Sequence, residues 1–510
     1  MTNAFSLFRS LIIYGICLPL AIFVGYLLAT PLDTSSFLAV GILLVLMTVP
    51  LLLRWHYPLL ILCWNTTAGL YFLPGKPSFT LVMINLSFFF SVLAYIMNRN
   101  AKFIAVPSVA RPLLFIAAVV LITAKLTGSL GLNVLGSEAI GGKRYLILLA
   151  GVVGFFAITA QKIPEHKADL YIKMFFLGGI TSAVGNLANI LGPGFSFMFV
   201  IFPPDAAVSS SVSFIDNSAS QITRLSGISS ASVAIITLLL ARYGVKGILD
   251  MRKSWRAALF LLMVAADLLG GFRSRVIDLL LTLSILFYLE GLVRSRLLPI
   301  ILLTTVLLGA FVLPFADKLP LSIQRSLTFL PLNLDEEAVL SAKDSTDWRL
   351  EMWTAVLPLV PQYLILGKGL GIDAHDFAML EGGLNGGNQA ASGSILAGDY
   401  HNGPLSIIIP FGIFGMAALI WFLVAAFKVL QRNYQYGDAA YGNINRFLFA
   451  FFIVKIIIFF VVFGSFYSDL VYFVGPVGLS IALNGGVCSP ELEPAERPAL
   501  NRFRLAGATR

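Results

Sequence analysis

PLSIIIPFGIFGMAALIWFLVAAF, residues 404–427, carries no charged side chain and follows directly on the polar Asp399-Tyr400-His401-Asn402. In lipid a helix satisfies its own backbone hydrogen bonds, and about 20 apolar residues are enough to cross the hydrocarbon core. Working outward from this stretch, similar runs cover 10–30, 36–53, 57–73, 79–97, 112–127, 145–160, 171–191, 226–242, 257–271, 275–293, 297–315, 447–463 and 467–484. The composition agrees, at 58% hydrophobic and 12% charged with a mean hydropathy of +0.88. These runs predict an all-α polytopic integral membrane protein with about fourteen transmembrane helices. One long polar interruption, residues 316–403, is expected to form a large loop outside the membrane.

Orientation follows from the basic residues of the short loops. With the N-terminus inside, alternate loops carry Arg54, then Arg99, Lys102 and Arg111, then Lys162 and Lys167, then a cluster from Arg242 to Arg256, then Arg294 and Arg296, then Lys428, Arg432 and Arg446. The opposite loops hold only Lys76, Lys143, Arg144, Arg224, Arg273 and Arg275. This bias puts both termini in the cytoplasm and residues 316–403 on the extracytoplasmic side. The net charge of +9 then reflects basic loops beside anionic lipid and requires no nucleic acid. Cys17 and Cys63 fall in apolar runs and Cys488 near the C-terminus, so no outward disulfide framework is available. The tail after Ser489, rich in Pro, Glu and Arg, is expected to be disordered.

The chemistry-bearing residues gather on the predicted outer face. Arg224 precedes one span, Arg273 and Arg275 open another, Arg349 lies within the long interruption and His401 ends it. A single arginine at a helix end is ordinarily an interfacial anchor. Several beside one histidine suggest an anion site, because guanidinium forks bind phosphate oxygens bidentately. Ser345, Thr346 or Asp347 is read as the cap of a helix on which Arg349 and Trp353, at i and i+4, share a face. Asp278, three residues after Arg275, is placed to orient it. Lys125 and Lys455 are expected to face the bundle interior.

Gly367-Lys368-Gly369-Leu370-Gly371 follows no strand, so a tight turn near a ligand or helix end fits better than a nucleotide loop. Asp373, His375 and Asp376 are potential cation ligands, although a solvated loop is the simpler reading. Asp335, Glu336 and Glu337 read as the acidic first turn of a helix.

The ordered set Arg224-Leu225-Ser226-Gly227, Ser274-Arg275, Trp348-Arg349 to Trp353, Gly367 to Gly371, and His401-Asn402 leading to Phe411-Gly412-Ile413-Phe414-Gly415 resembles the O-antigen ligase and polymerase superfamily. The resemblance implies a GT-C-like glycosyltransferase without a cofactor or metal. Its donor would be an undecaprenyl-diphosphate-linked glycan, and its acceptor a lipid A core or another lipid-linked chain. It would work at the outer face of the bacterial cytoplasmic (inner) membrane, in O-antigen, capsule or exopolysaccharide synthesis. It further implies Arg275, Arg349 and Arg224 as diphosphate ligands and His401 as catalyst, supported by Arg273, Asp278, Trp353 and Asn402. The resulting division is an N-terminal bundle 1–220, a ligase-like region 221–430, C-terminal helices 431–484 and a tail 485–510. A lipid-linked oligosaccharide flippase, or a non-catalytic component of a polysaccharide export complex, is the alternative. A flippase should place ionisable groups near the bilayer midplane, whereas these arginines sit at one surface.

Overall fold

The computed structural model describes residues 22, 25, 34–71, 75–97, 103–129, 142–203, 222–372, 394–395 and 398–490. Its contacts define one unit of residues 1–59 and another of residues 60–510. Among the described residues the regular structure is helical, with a single isolated β-bridge between Gly69 and Ser78.

Seven described helical stretches are long and apolar enough to cross a membrane: Phe79–Met97, Pro107–Leu126, Glu165–Leu191, Ser226–Ile248, Leu405–Tyr436, Ala439–Val462 and Phe466–Asn484. The expected fourteen are therefore not confirmed. Gly142–Ile158, Trp255–Leu268, Arg273–Leu289 and Leu297–Val312 are helices of 17, 14, 17 and 16 residues. At 1.5 Å per residue they reach about 21–26 Å, short of a hydrocarbon core of about 30 Å. The runs 36–53 and 57–73 are not two helices either. One helix, Thr34–Cys63, continues through Arg54 and His56, because polar side chains interrupt hydropathy without interrupting the backbone ladder. Nearly all of the run 10–30 lies outside the described residues.

Glycines let the central helices approach closely. A Cβ at Gly151 would lie 3.1 Å from Leu470 Cγ, and one at Gly478 would lie 3.0 Å from Ile158 Cγ2. Small residues at such contacts replace the hydrophobic drive that lipid cannot supply. Asp278 on Arg273–Leu289 accepts an ion pair from Lys455 on Gly442–Ile457 at 3.2 Å. Lys455 is thus directed inward as expected, with Asp278 as its partner, whereas Lys125 is exposed in the last turn of Pro107–Leu126.

The helix Leu405–Tyr436 is broken near its start. Pro410 has no N–H to donate, and Gly412 adopts φ 61°, ψ −160°. The freed backbone groups find partners in the glycine motif and the residues just before it. Lys368 N donates to Ile409 O (2.9 Å), Gly369 N to Pro410 O (2.9 Å), and Ile413 N to Leu364 O (2.7 Å). A Cβ at Gly367 would strike the Pro410 carbonyl and one at Gly412 the Ile365 carbonyl, so both positions require glycine. The motif is a tight turn at a helix break, which also accounts for the proline at position 410.

The segment 316–372 is itself helical in large part, with Leu321–Ser326, Glu336–Val356 and Val360–Tyr363. Glu336–Val356 starts where the acidic run predicted, capped by Asp335, whose carboxylate accepts from Glu337 N at 2.9 Å. Ser345, Thr346 and Asp347 are therefore interior to this helix and do not cap it. Its apolar side buries Met352 and Val356 against Ile395, Tyr400, Leu405 and Ile409. That contact holds the helix bearing Arg349 against the turn that carries His401.

Candidate active site

His401 occupies the turn between Tyr400 and the helix Leu405–Tyr436 with φ at +50°, a left-handed conformation uncommon for residues other than glycine. Neighbouring groups hold it there. Trp353 Nε1 donates to Tyr400 O at 2.8 Å, and Asn402 Oδ1 accepts from Leu405 N at 3.1 Å, capping the helix. Trp353 and Asn402 thus support the histidine through the backbone on either side of it. Strain of this kind persists where the surroundings over-determine it, and it clusters at functional sites.

The imidazole is fixed as firmly. Its ring stands edge to face with Trp348 at 5.0 Å and with Phe463 at 4.8 Å between centroids. Nδ1 lies 3.0 Å from Asp399 O and 3.3 Å from Asp399 Oδ1. Two acceptors facing Nδ1 favour the proton there, which leaves the Nε2 lone pair to act as a base. Burial opposes ionisation of Asp399, yet the hydrogen bonds and charge of His401 outweigh it and hold the carboxyl below its usual range. Because that value is depressed, Asp399 stabilises the fold above its unfolded pKa of about 4, and the contribution is lost as pH falls through the lower folded value.

Beside this dyad lies a group of guanidiniums. Arg273 Nη2 donates to Ala342 O (2.9 Å) and Thr346 Oγ1 (2.8 Å). Arg224 Nε donates to Gly270 O (3.1 Å), and its guanidinium covers the Phe272 ring at 4.2 Å. Arg325, buried to 6% exposure, donates to Gly271 O and to Ser341 Oγ (3.0 Å). Burial first, then the charges of Arg224, Arg273 and Arg349, pull the Arg325 guanidinium down to about 10. Burial and Arg273 likewise lower Arg349, against an opposing pull from Asp399.

Arg349 links the two halves of the site. Its guanidinium lies 5.5 Å from the centroid of Trp348, the ring that packs on His401. Its Nε is buried without a hydrogen-bond partner among the described residues. No carboxylate forms a salt bridge with Arg273, Arg325 or Arg349 among those residues. Like charges collected with so little compensation are unfavourable alone and suited to a polyanion.

Arg275 is placed elsewhere. Positions i and i+2 of a helix point to different sides, so Arg273 turns toward Glu336–Val356 while Arg275 Nη2 reaches Ser230 Oγ at 3.3 Å. Arg275 lines a separate cavity of about 210 Å³ with Lys455, Tyr472 and Trp64. Asp278 likewise serves Lys455 and makes no ion pair with Arg275. The sequence reading missed Arg325 and gave no role to Asp399, Trp348 or Phe463. The carboxylate two residues before a histidine was the available signal for Asp399, but nothing in Leu321-Ser322-Ile323-Gln324-Arg325 announces a shared site. Asp373, His375 and Asp376 lie outside the described residues.

No curated protein matches the chain at a significant level. The family model described as O-antigen ligase matches residues 258–420, about a third of the chain, a span that includes Arg273, Arg275, Arg325, Arg349, Asp399 and His401 but not Arg224. With its several membrane-length helices this is a multi-pass membrane protein whose residues 258–420 match the O-antigen ligase family, the span that holds every motif of the resemblance except Arg224-Leu225-Ser226-Gly227.

Proposed function

We propose that the protein is a glycosyltransferase that moves a glycan from an undecaprenyl-diphosphate carrier onto an acceptor hydroxyl at the extracytoplasmic face of the cytoplasmic membrane. The observation that carries this reading is the four-arginine group beside a histidine whose Nδ1 is held by Asp399. In the step, the acceptor oxygen bonds to the anomeric carbon while the bond from that carbon to the diphosphate oxygen breaks. The hydroxyl proton passes to His401 Nε2. The polyprenyl diphosphate departs with the bonding electron pair, and Arg224, Arg273, Arg325 and Arg349 absorb the growing negative charge. Direct attack from the opposite side inverts the anomeric centre. In this scheme the guanidinium group supplies the positive charge that other transferases take from a metal ion, so the reaction is proposed to be metal-independent. Arg275, expected as a ligand, is left with the cavity it lines.

Purified protein given a radiolabelled lipid-linked glycan should transfer label and release polyprenyl diphosphate. Transfer onto lipid A core would make it a ligase and growth of lipid-linked chains a polymerase; no transfer to either would remove the enzyme reading. The outward placement has its own test, in a background where Cys17, Cys63 and Cys488 are replaced. Lys343 and Ser254 are both exposed. Lys343→Cys should react with a membrane-impermeant thiol reagent in cells with a permeabilised outer membrane, and Ser254→Cys should not. The reverse pattern would put His401 in the cytoplasm.

A further inference from the structure

A second cationic site lies far from His401 along the same helix. Beyond the break at Gly412 the helix continues from Ile413 to Tyr436, about 36 Å at 1.5 Å per residue and enough to cross a hydrocarbon core about 30 Å thick, with Lys428 and Arg432 in its last turns at the end away from His401. At that far end Arg111, Lys428 and Arg432 rim a groove of about 390 Å³ with an apolar wall that includes Trp421, Val424 and Val429.

Its construction follows from the helix period. Trp421, Val424, Lys428 and Arg432 fall three or four residues apart and so share one stripe. Phe115, one turn beyond Arg111, packs on Trp421 with ring centroids 6.0 Å apart, joining the two helices there. Asn433 fixes the floor, since its Oδ1 accepts from Cys488 N (2.8 Å) and its Nδ2 donates to Ser480 Oγ (3.0 Å).

All three cations are exposed, and none has a salt-bridge or hydrogen-bond partner among the described residues. Among the described residues no carboxylate lines the groove. Cations gathered at the rim of an apolar trough match a molecule with an anionic head and hydrocarbon tails.

We infer that this groove is a binding site for an anionic phospholipid of the leaflet opposite the transfer site, its phosphate held by Arg111, Lys428 and Arg432 and its acyl chain laid along Trp421 and Val424. A free phosphate offers the same charge without the chain. It would therefore bind much more weakly, because the apolar wall would stay uncovered.

The test uses full-length protein purified in detergent, titrated with phosphatidylglycerol, phosphatidylcholine or inorganic phosphate and read by native mass spectrometry and thermal shift. Wild type should retain phosphatidylglycerol selectively and gain thermal stability from it. The triple substitution Arg111→Gln, Lys428→Gln, Arg432→Gln should weaken that binding by roughly tenfold or more. His401→Asn should leave it unchanged, which keeps this result separate from any failure of the transfer reaction. Equal retention of both lipids, equal retention by the triple variant, or saturation by inorganic phosphate alone would overturn the assignment. Should the triple variant fold poorly, Lys428→Gln alone, at an exposed position, should still lower the preference for phosphatidylglycerol.

Discussion

Replacing His401 should lower glycan transfer by roughly 10²- to 10⁴-fold, the usual range for a positioned acid or base, with little change in membrane insertion. Substitutions here are not equivalent, because the backbone sits at φ +50°. Alanine adds strain at such a position, whereas asparagine and glycine adopt it readily, so His401→Asn and His401→Gly separate lost chemistry from lost folding. The glycine variant also leaves a slot between Trp348 and Phe463 that imidazole can fill. Added imidazole should then restore part of the activity. Transfer near the wild-type rate by well-folded His401→Asn protein would take the histidine out of the mechanism.

Arg349→Lys should reduce transfer by about 10²-fold, comparable to the loss of one preorganised donor, even though the charge is kept. Lysine puts a methylene where Arg349 has its buried Nε–H, which has no partner among the described residues, and it cannot form a planar fork on a diphosphate. An interfacial anchor would tolerate the change, since an ammonium reaches the same headgroups. Arg256→Lys supplies the comparison: Arg256 stacks on Tyr243 at 3.8 Å, away from the site, and this variant should transfer normally. Arg325→Lys is a harsher substitution, because Arg325 also bonds Gly271 O and Ser341, so a drop in thermal stability should accompany its loss of activity. Chelation should leave the parent enzyme active. Full activity in Arg349→Lys, or inhibition by EDTA reversed by a divalent cation, would shift the chemistry from the arginines to carboxylates such as Asp373 and Asp376.

Several features could be read from residue order because their causes are local. The acidic cap at Asp335, the helix starts after Arg224, before Arg273 and after His401, and the long apolar helices toward the C-terminus all depend on neighbours within a turn or two. The fourteen-helix count is not confirmed among the described residues, for an equally local reason. Hydropathy sees polar interruptions such as Arg54 and His56, but it does not see that a backbone ladder continues through them or that an apolar run stops short of spanning length.

The sequence by itself determined that the chain is a helical membrane protein, that Arg224, Arg273, Arg275 and His401 stand next to apolar runs while Arg349 lies in the long polar interruption, and that a glycine turn accompanies a helix end. Only the tertiary structure decided which of those groups meet. Arg273 joins Arg349 while Arg275 turns away, because residues two apart on a helix point to different sides and the partner helix Glu336–Val356 covers only one of them. Arg325 enters the site, and Asp278 is claimed by Lys455, through contacts between segments distant in sequence. Residue order fixes which charges exist and on what local element, whereas the position of a charge relative to another helix depends on packing between elements.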